Sequence, residues 1–206
     1  MKRSQFFALF SGALSLVYAE SFPHDGRFER AKFVSSLIKP GDIGAEIGVC
    51  FGVFAYHVLL QKHPSKLYLI DPWEYGLQQD VEFDPTPEKQ AFPDAYYKIV
   101  CELFATYSNV EIIRGKSEDV VTLFPDQFFD YVYIDGEHSY DAVKRDLNNY
   151  FPKIKVGGYL IGDDYGWTGV APAVQEFLNA HQDEILWSDD PYGGKTGNQF
   201  AIKRLK

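Results

Sequence analysis

Five short apolar runs punctuate the chain: "IGAEIGV", "KLYLID", "VEIIRG", "FDYVYIDG" and "GYLIGDD", each bounded by Gly, Pro or Asp. Runs of this length read as strands buried on both faces. Between them lie helical-looking segments, "FGVFAYHVLLQ", "AYYKIVCELFATYS", "SEDVVTLF" and "SYDAVKRDLNNYFPKI". Ahead of the first strand, "DGRFERAKFVSSLI" places Phe28, Ala31, Val34 and Leu37 about one helical turn apart, and "KPGD" closes that helix. Strand and helix alternate throughout, which predicts right-handed crossovers and a mostly parallel sheet covered by helices, a three-layer α/β fold. The tail, from "APAVQEF" to "NQFAIKR", adds one helix and two strand-like runs joined by a Gly-rich turn, the pattern of an antiparallel C-terminal hairpin at the sheet edge.

The 206 residues, 46% hydrophobic, suffice for one well-buried domain. A net charge of −9 without a basic run argues against a nucleic-acid surface, which needs clustered Lys and Arg, and favours a small-molecule partner. Residues 1–19 look like a signal peptide, with Lys2 and Arg3, an apolar run from Phe6 to Ala19, and Val17-Tyr18-Ala19 as a small-x-small-like cleavage site; the competing reading is an amphipathic or buried N-terminal helix. The run is shorter than the roughly 20 residues a bilayer span requires, so no stable membrane span is expected. The expected organisation is a leader over 1–19 and a single domain over 20–206. Cys50 and Cys101 do not form a Cys-x-x-Cys pair and read as two buried free thiols.

In an open parallel sheet, ligands bind beyond the carboxyl ends of the strands. Glu46, Asp71, Asp135 and the Asp163-Asp164 pair all fall at such ends. After the first strand, "GAEIGVCFG" sets Gly48 and Gly52 where a cofactor can approach bare main chain and the following helix can offer free N–H groups. The Gly-x-Gly-x-x-Gly turn expected for a pyrophosphate is missing, which disfavours a nicotinamide-dependent oxidoreductase. Glu46 beside that turn suits an amino group or a sulfonium, although the same glycines also serve a plain strand-to-helix turn. Asp71, ending the next strand, is placed to accept ribose hydroxyls, or else to cap the turn into Pro72.

The segments "AEIGVCFG", "YLIDPW", "IIRGKSED", "FDYVYIDGEHSYDAVKRDL" and "VGGYLIGDDY" together resemble the successive motifs of class I S-adenosylmethionine-dependent methyltransferases, from about Phe28 to the C-terminus. "IDGEHSY" and "GDDY" are most similar to the small-molecule O-methyltransferases that act on sugars and antibiotics. The resemblance implies a Rossmann-like sheet and S-adenosylmethionine as cofactor. It places Gly48 and Gly52 against the methionine part, Glu46 on its ammonium, Asp71 on the ribose, and Trp73 and Ser117 by the adenine, with Asp135 at the same pocket. Cys50 departs from the common Gly-x-Gly-x-Gly form.

Asp135, Asp163 and Asp164 end neighbouring strands, and three converging oxygen ligands suit Mg²⁺. Such an ion would lower the pKa of an acceptor hydroxyl. Strand-end capping is the competing explanation for these acids. Glu137 and His138 are the candidate bases, and the sequence does not choose between them. The function expected is methyl transfer to a small-molecule oxygen acceptor, a sugar or polyol hydroxyl, entering by a wall of Tyr75, Tyr165 and Trp167. The alternative is a secreted, non-catalytic protein that kept the scaffold. It is motivated by the leader, because S-adenosylmethionine is made in the cytosol.

Overall fold

The structure, a computed structural model, describes residues 26–74, 87–189 and 199–206. The leader-like stretch, Tyr75 and the Gly-rich turn of the tail lie outside the described residues. Helix α1 (Gly26–Leu37) is followed by β1 (Ile43–Ile47), α2 (Val53–Lys62), β2 (Lys66–Asp71), α3 (Pro87–Phe104) and β3 (Val110–Arg114). Then come the short α4 (Ser117–Val120), β4 (Phe129–Ile134), α5 (Tyr140–Tyr150), β5 (Ile154–Gly162), α6 (Val170–Ala180), β6 (Ile185–Asp189) and β7 (Phe200–Arg204). The seven strands form one sheet in the order β3-β2-β1-β4-β5-β7-β6. The first five are parallel, and β7 runs antiparallel to both β5 and β6. The alternation of runs thus gives the expected three-layer fold.

Each face of the sheet has its own core, and the two-residue strand period assigns side chains to them. Leu67 and Leu69 of β2 pack with Ala31, Val34, Phe54, Ala55 and Val100 from α1, α2 and α3. Ile70, with Tyr68 packed alongside, joins Val132, Leu147, Tyr150, Val174 and Phe177 on the opposite face, under α5 and α6. Leu160 in β5 is 0% exposed within that second core. Leu160→Ala is expected to cost about 2–5 kcal/mol of stability, the range for a large-to-small core substitution, measurable by urea unfolding. Helix α1 buries Phe33 together with Ala31 and Val34, while Phe28 and Leu37 are only half-buried. Helix α3 starts earlier than its apolar spacing predicts and runs through Pro93. No helix among the described residues is long and apolar enough to cross a membrane.

Strand order fixes where a ligand can sit. From β1 the chain steps outward through β2 to β3, then crosses back so that β4 pairs with β1 on its other side. Adjacent crossovers therefore diverge between β1 and β4, which opens a crevice at their carboxyl ends.

Candidate active site

The crevice is shaped by the turn after β1. Gly48 has φ +84°, and a Cβ added there would run into the backbone carbonyl of Asp135, so glycine lets the ends of β1 and β4 close on each other. Cys50 adopts the left-handed conformation itself, with φ 54°, at the position where a glycine would be more usual. It is exposed, and Cys101 is half-buried, which corrects the expectation of two buried thiols; both are free. Gly52, at φ +81°, is the N-cap of α2 and makes no side-chain cap.

Asp71 holds this turn. Its Oδ2 accepts from the backbone N–H of Val49 (2.8 Å) and of Cys50 (2.9 Å), and its Oδ1 from the N–H of Trp73 (2.7 Å). Burial pushes its carboxyl above the ordinary value, opposed by these three N–H groups and by Arg114. With about four acceptor positions on a carboxylate, most of its capacity is committed to backbone. Trp73 is buried, donates its indole N–H to the Cys50 carbonyl at 2.7 Å, and rests on Tyr97 with ring centroids 5.0 Å apart. Glu46 is 3% exposed, and its Oε2 has no hydrogen-bond partner among the described residues. Burial first, then the charges of Asp135 and Asp71, drive its pKa well above the carboxylate range against Arg30 and Arg27.

A second group of charges gathers beyond β4 and β5. His138 Nε2 lies 2.8 Å from Asp164 Oδ2 and 3.6 Å from Asp135 Oδ1. Those two carboxylates raise the imidazole pKa to about 9 despite partial burial. The ring faces Trp167 at 4.8 Å, and Trp167 is 54% exposed. Asp163, whose side chain is fully buried, turns away to an ion pair with Arg30 of α1, and its Oδ1 accepts the Asp164 N–H at 2.9 Å. Arg30 also approaches Asp135, at 3.6 Å. Among the described residues, Asp135, His138 and Asp164 bring potential ligand atoms within 4.8 Å of one another. His138 thus stands in this group where Asp163 is expected, because Arg30 claims Asp163.

One cavity of about 950 Å³ joins the two groups. Glu46, Gly48, Gly52, Asp71 and Trp73 line one part, Asp135, Glu137, His138 and Asp164 another, and Ser117 a third. Ser117 Oγ donates to Asp146 Oδ1 at 2.6 Å, and Tyr150 donates to the Ser117 carbonyl at 3.0 Å. Glu137 accepts from Ser139 Oγ at 2.7 Å, while that hydroxyl caps α5 by accepting from the Ala142 N–H.

Comparison with known proteins decides what this cavity belongs to. Residues 45–165, more than half of the chain, match the family described as "Methyltransferase domain". The chain belongs to the methyltransferase-domain family. The matched span runs from the middle of β1 to just past Asp164 and so carries Glu46, Asp71, Asp135, His138 and Asp164, with Arg27 and Arg30 of α1 outside it. An uncharacterized protein of Acanthamoeba polyphaga mimivirus is 35% identical over 123 residues, 47% of this chain and 55% of that one. The chain therefore spans about half the length of this curated relative. Among solved structures, the O-methyltransferase NovP superposes with a TM-score of 0.63 at 18% identity, over 88% of this chain and 80% of its own. Aeropyrum pernix fibrillarin, described in complex with natively bound S-adenosyl-L-methionine, gives 0.56 at 15% identity, over 86% and 76%. The methyltransferase thus has the class I Rossmann-like fold that its motifs imply.

The structure brings Glu46, Gly48, Gly52, Asp71, Trp73, Ser117, Asp135, Glu137, His138 and Asp164 of the methyltransferase to one cavity and leaves Asp163 off its lining, buried and paired with Arg30. Tyr165 is not among the lining residues; its ring packs near Phe200, with Gln175 on its hydroxyl, so it does not form the expected wall with Trp167. Sequence reasoning missed Arg27, Arg30, Glu74, Lys116, Arg145 and Asp146, all of which border the cavity. Asp146 did leave a signal: it shares the helical spacing of Val143, Leu147 and Tyr150, where an acid is out of place. The Arg residues of α1 left none, since a helix before the first strand gives no hint of reaching the sheet's carboxyl edge.

Proposed function

We propose that this methyltransferase moves the methyl group of S-adenosylmethionine to a hydroxyl of a small molecule. The observation that carries the reading is the single cavity with an acid-flanked glycine turn in one part and Asp135, His138 and Asp164 in another. A ligand's ammonium beside Glu46 supplies the opposite charge that would draw its buried carboxyl into the ionised form. The ribose falls to the remaining acceptor capacity of Asp71 and to Glu74 at the same strand end. The acceptor oxygen attacks the methyl carbon, the C–S bond breaks with its electron pair passing to sulfur, and the hydroxyl proton goes to a base. Alignment of the three centres is the main task of such a site. A chain of charge −9 with no basic run favours a small acceptor over a nucleic acid.

We assign the base to His138. Glu137 is tied by Ser139 to the start of α5, whereas His138 stands with Asp135 and Asp164 by the exposed Trp167. A His with its pKa raised to about 9 is mostly protonated at neutral pH, so the rate is expected to climb as pH rises through about 9. Asp164→Asn removes one of the charges holding that proton and should shift this limb to lower pH. A rate already level between pH 7 and 9 would move the role to Glu137.

A second arrangement of the same residues would have Asp135, His138 and Asp164 hold a divalent cation; His138 is then a ligand and no longer the base, proton removal falls to Glu137, and the ion would lower the pKa of a hydroxyl bound to it. With an imidazole among the donors, the set suits Mn²⁺ or Zn²⁺ better than Mg²⁺. Titration calorimetry with S-adenosylmethionine and with S-adenosylhomocysteine tests the cofactor reading; absence of binding by both would leave only a scaffold. Mass spectrometry of the mature N-terminus tests whether residues 1–19 are removed, and hence whether the protein works where the cofactor is made.

A further inference from the structure

Asp146 has no part in the transfer described above, yet its placement is costly. It lies in the buried stripe of α5 among Val143, Leu147 and Tyr150 and is itself 3% exposed. A carboxylate in such surroundings needs partners. One oxygen has a partner: Oδ1 accepts the Ser117 hydroxyl at 2.6 Å. Burial outweighs that hydrogen bond and raises the carboxyl to about 6. The other oxygen, Oδ2, has no donor among the described residues and faces Gly136, where even an added Cβ would stay 3.8 Å away. Asp146, Ser117 and Gly136 all border the cavity, so this oxygen belongs to its wall.

Which part of a ligand reaches that wall follows from the sheet. Ser117 opens the helix after β3, and Asp71 ends the adjacent β2, whereas His138, Asp164 and Trp167 stand beyond β4 and β5. With the methyl acceptor beside His138, a reading taken from the proposed function, the nucleoside of the donor extends toward the β2 and β3 side. Its base then meets Ser117 and Asp146.

We propose that Asp146 selects the nucleobase, with Oδ2 accepting a hydrogen bond from the exocyclic amino group of adenine while Ser117 fixes the carboxylate through Oδ1. A 6-amino purine offers a donor at this position. A 6-oxo purine offers an oxygen, which an acceptor repels, and sites built on one hydrogen-bond polarity discriminate strongly against the other.

The test is titration calorimetry of the full chain with S-adenosylhomocysteine and with S-inosylhomocysteine. Wild type is expected to prefer the adenosyl ligand by about 10- to 100-fold. Asp146→Asn, which presents an amide donor as well as an acceptor, should cut that preference at least about tenfold by gaining affinity for the inosyl ligand. Equal binding of the two ligands by wild type overturns the assignment, as does an Asn variant that weakens both alike, the mark of a structural acid. Should the Asn variant not fold, the wild-type ratio and Asp146→Ser, which deletes the carboxylate and should abolish the preference, decide the question. Wild type that binds neither ligand defeats the cofactor reading itself, whereas binding without preference defeats only the role of Asp146.

Discussion

Asp71→Ala is expected to weaken S-adenosylhomocysteine binding by about 100-fold or more, a loss of roughly 2.7 kcal/mol of binding free energy. The reason is not only a missing contact to the ligand. Three backbone N–H groups, from Val49, Cys50 and Trp73, lose their acceptor together, and each donor left without one costs about 1–3 kcal/mol where water cannot replace it. The turn that carries Gly48 and the left-handed Cys50 is then free to relax, and the entry to α2 moves with it. Asp71→Asn retains one acceptor oxygen but adds an amide that faces N–H donors, so an intermediate loss is expected. Calorimetry on both variants, with circular dichroism to establish that they fold, checks the result. An alanine variant that folds and binds within threefold of wild type would remove Asp71 from the site.

Gly48→Ala is expected to be the most damaging small substitution at the crevice, with about 3–5 kcal/mol of stability lost in urea unfolding. Two terms combine. A left-handed φ costs a non-glycine residue about 1–2 kcal/mol, and the new methyl would press on the Asp135 carbonyl, a backbone atom that cannot swing aside. Relief requires the ends of β1 and β4 to separate, which moves Glu46 from Asp135 and opens the joint between the two parts of the cavity. Gly157 supplies the control. It has φ +88° with nothing within 4 Å of an added Cβ, so Gly157→Ala should show the conformational term alone, about 1–2 kcal/mol. Similar losses in both variants would contradict the close approach at Gly48.

Residue spacing alone makes much of this site legible. The acids at the ends of β1, β2, β4 and β5 could be placed on one rim because a parallel sheet puts all those ends on the same edge. What each acid does there was not legible. Asp71 spends most of its acceptors on the turn beside it, a partnership set by the angle at which the chain leaves β1. Asp163 and Asp164 are neighbours in sequence, yet one is buried and paired with Arg30 and the other meets His138 in the cavity. Successive residues leave a chain in different directions, and Asp164 takes a left-handed φ of 55° just where the strand gives way to its loop. Tyr165 and Trp167 part company in the same loop, one beside Phe200 and the other beside His138.

The sequence by itself determined the layers, the sheet with its reversed final strand, and the set of acids and glycines at its carboxyl edge. All of these follow from periodicities and turn residues that act over a few positions of chain. Tertiary structure alone decided which of those groups are charged, paired or open to a ligand. That choice depends on neighbours from distant segments, such as Arg30 against Asp163 and Ser117 against Asp146, and on how much water each burial removes.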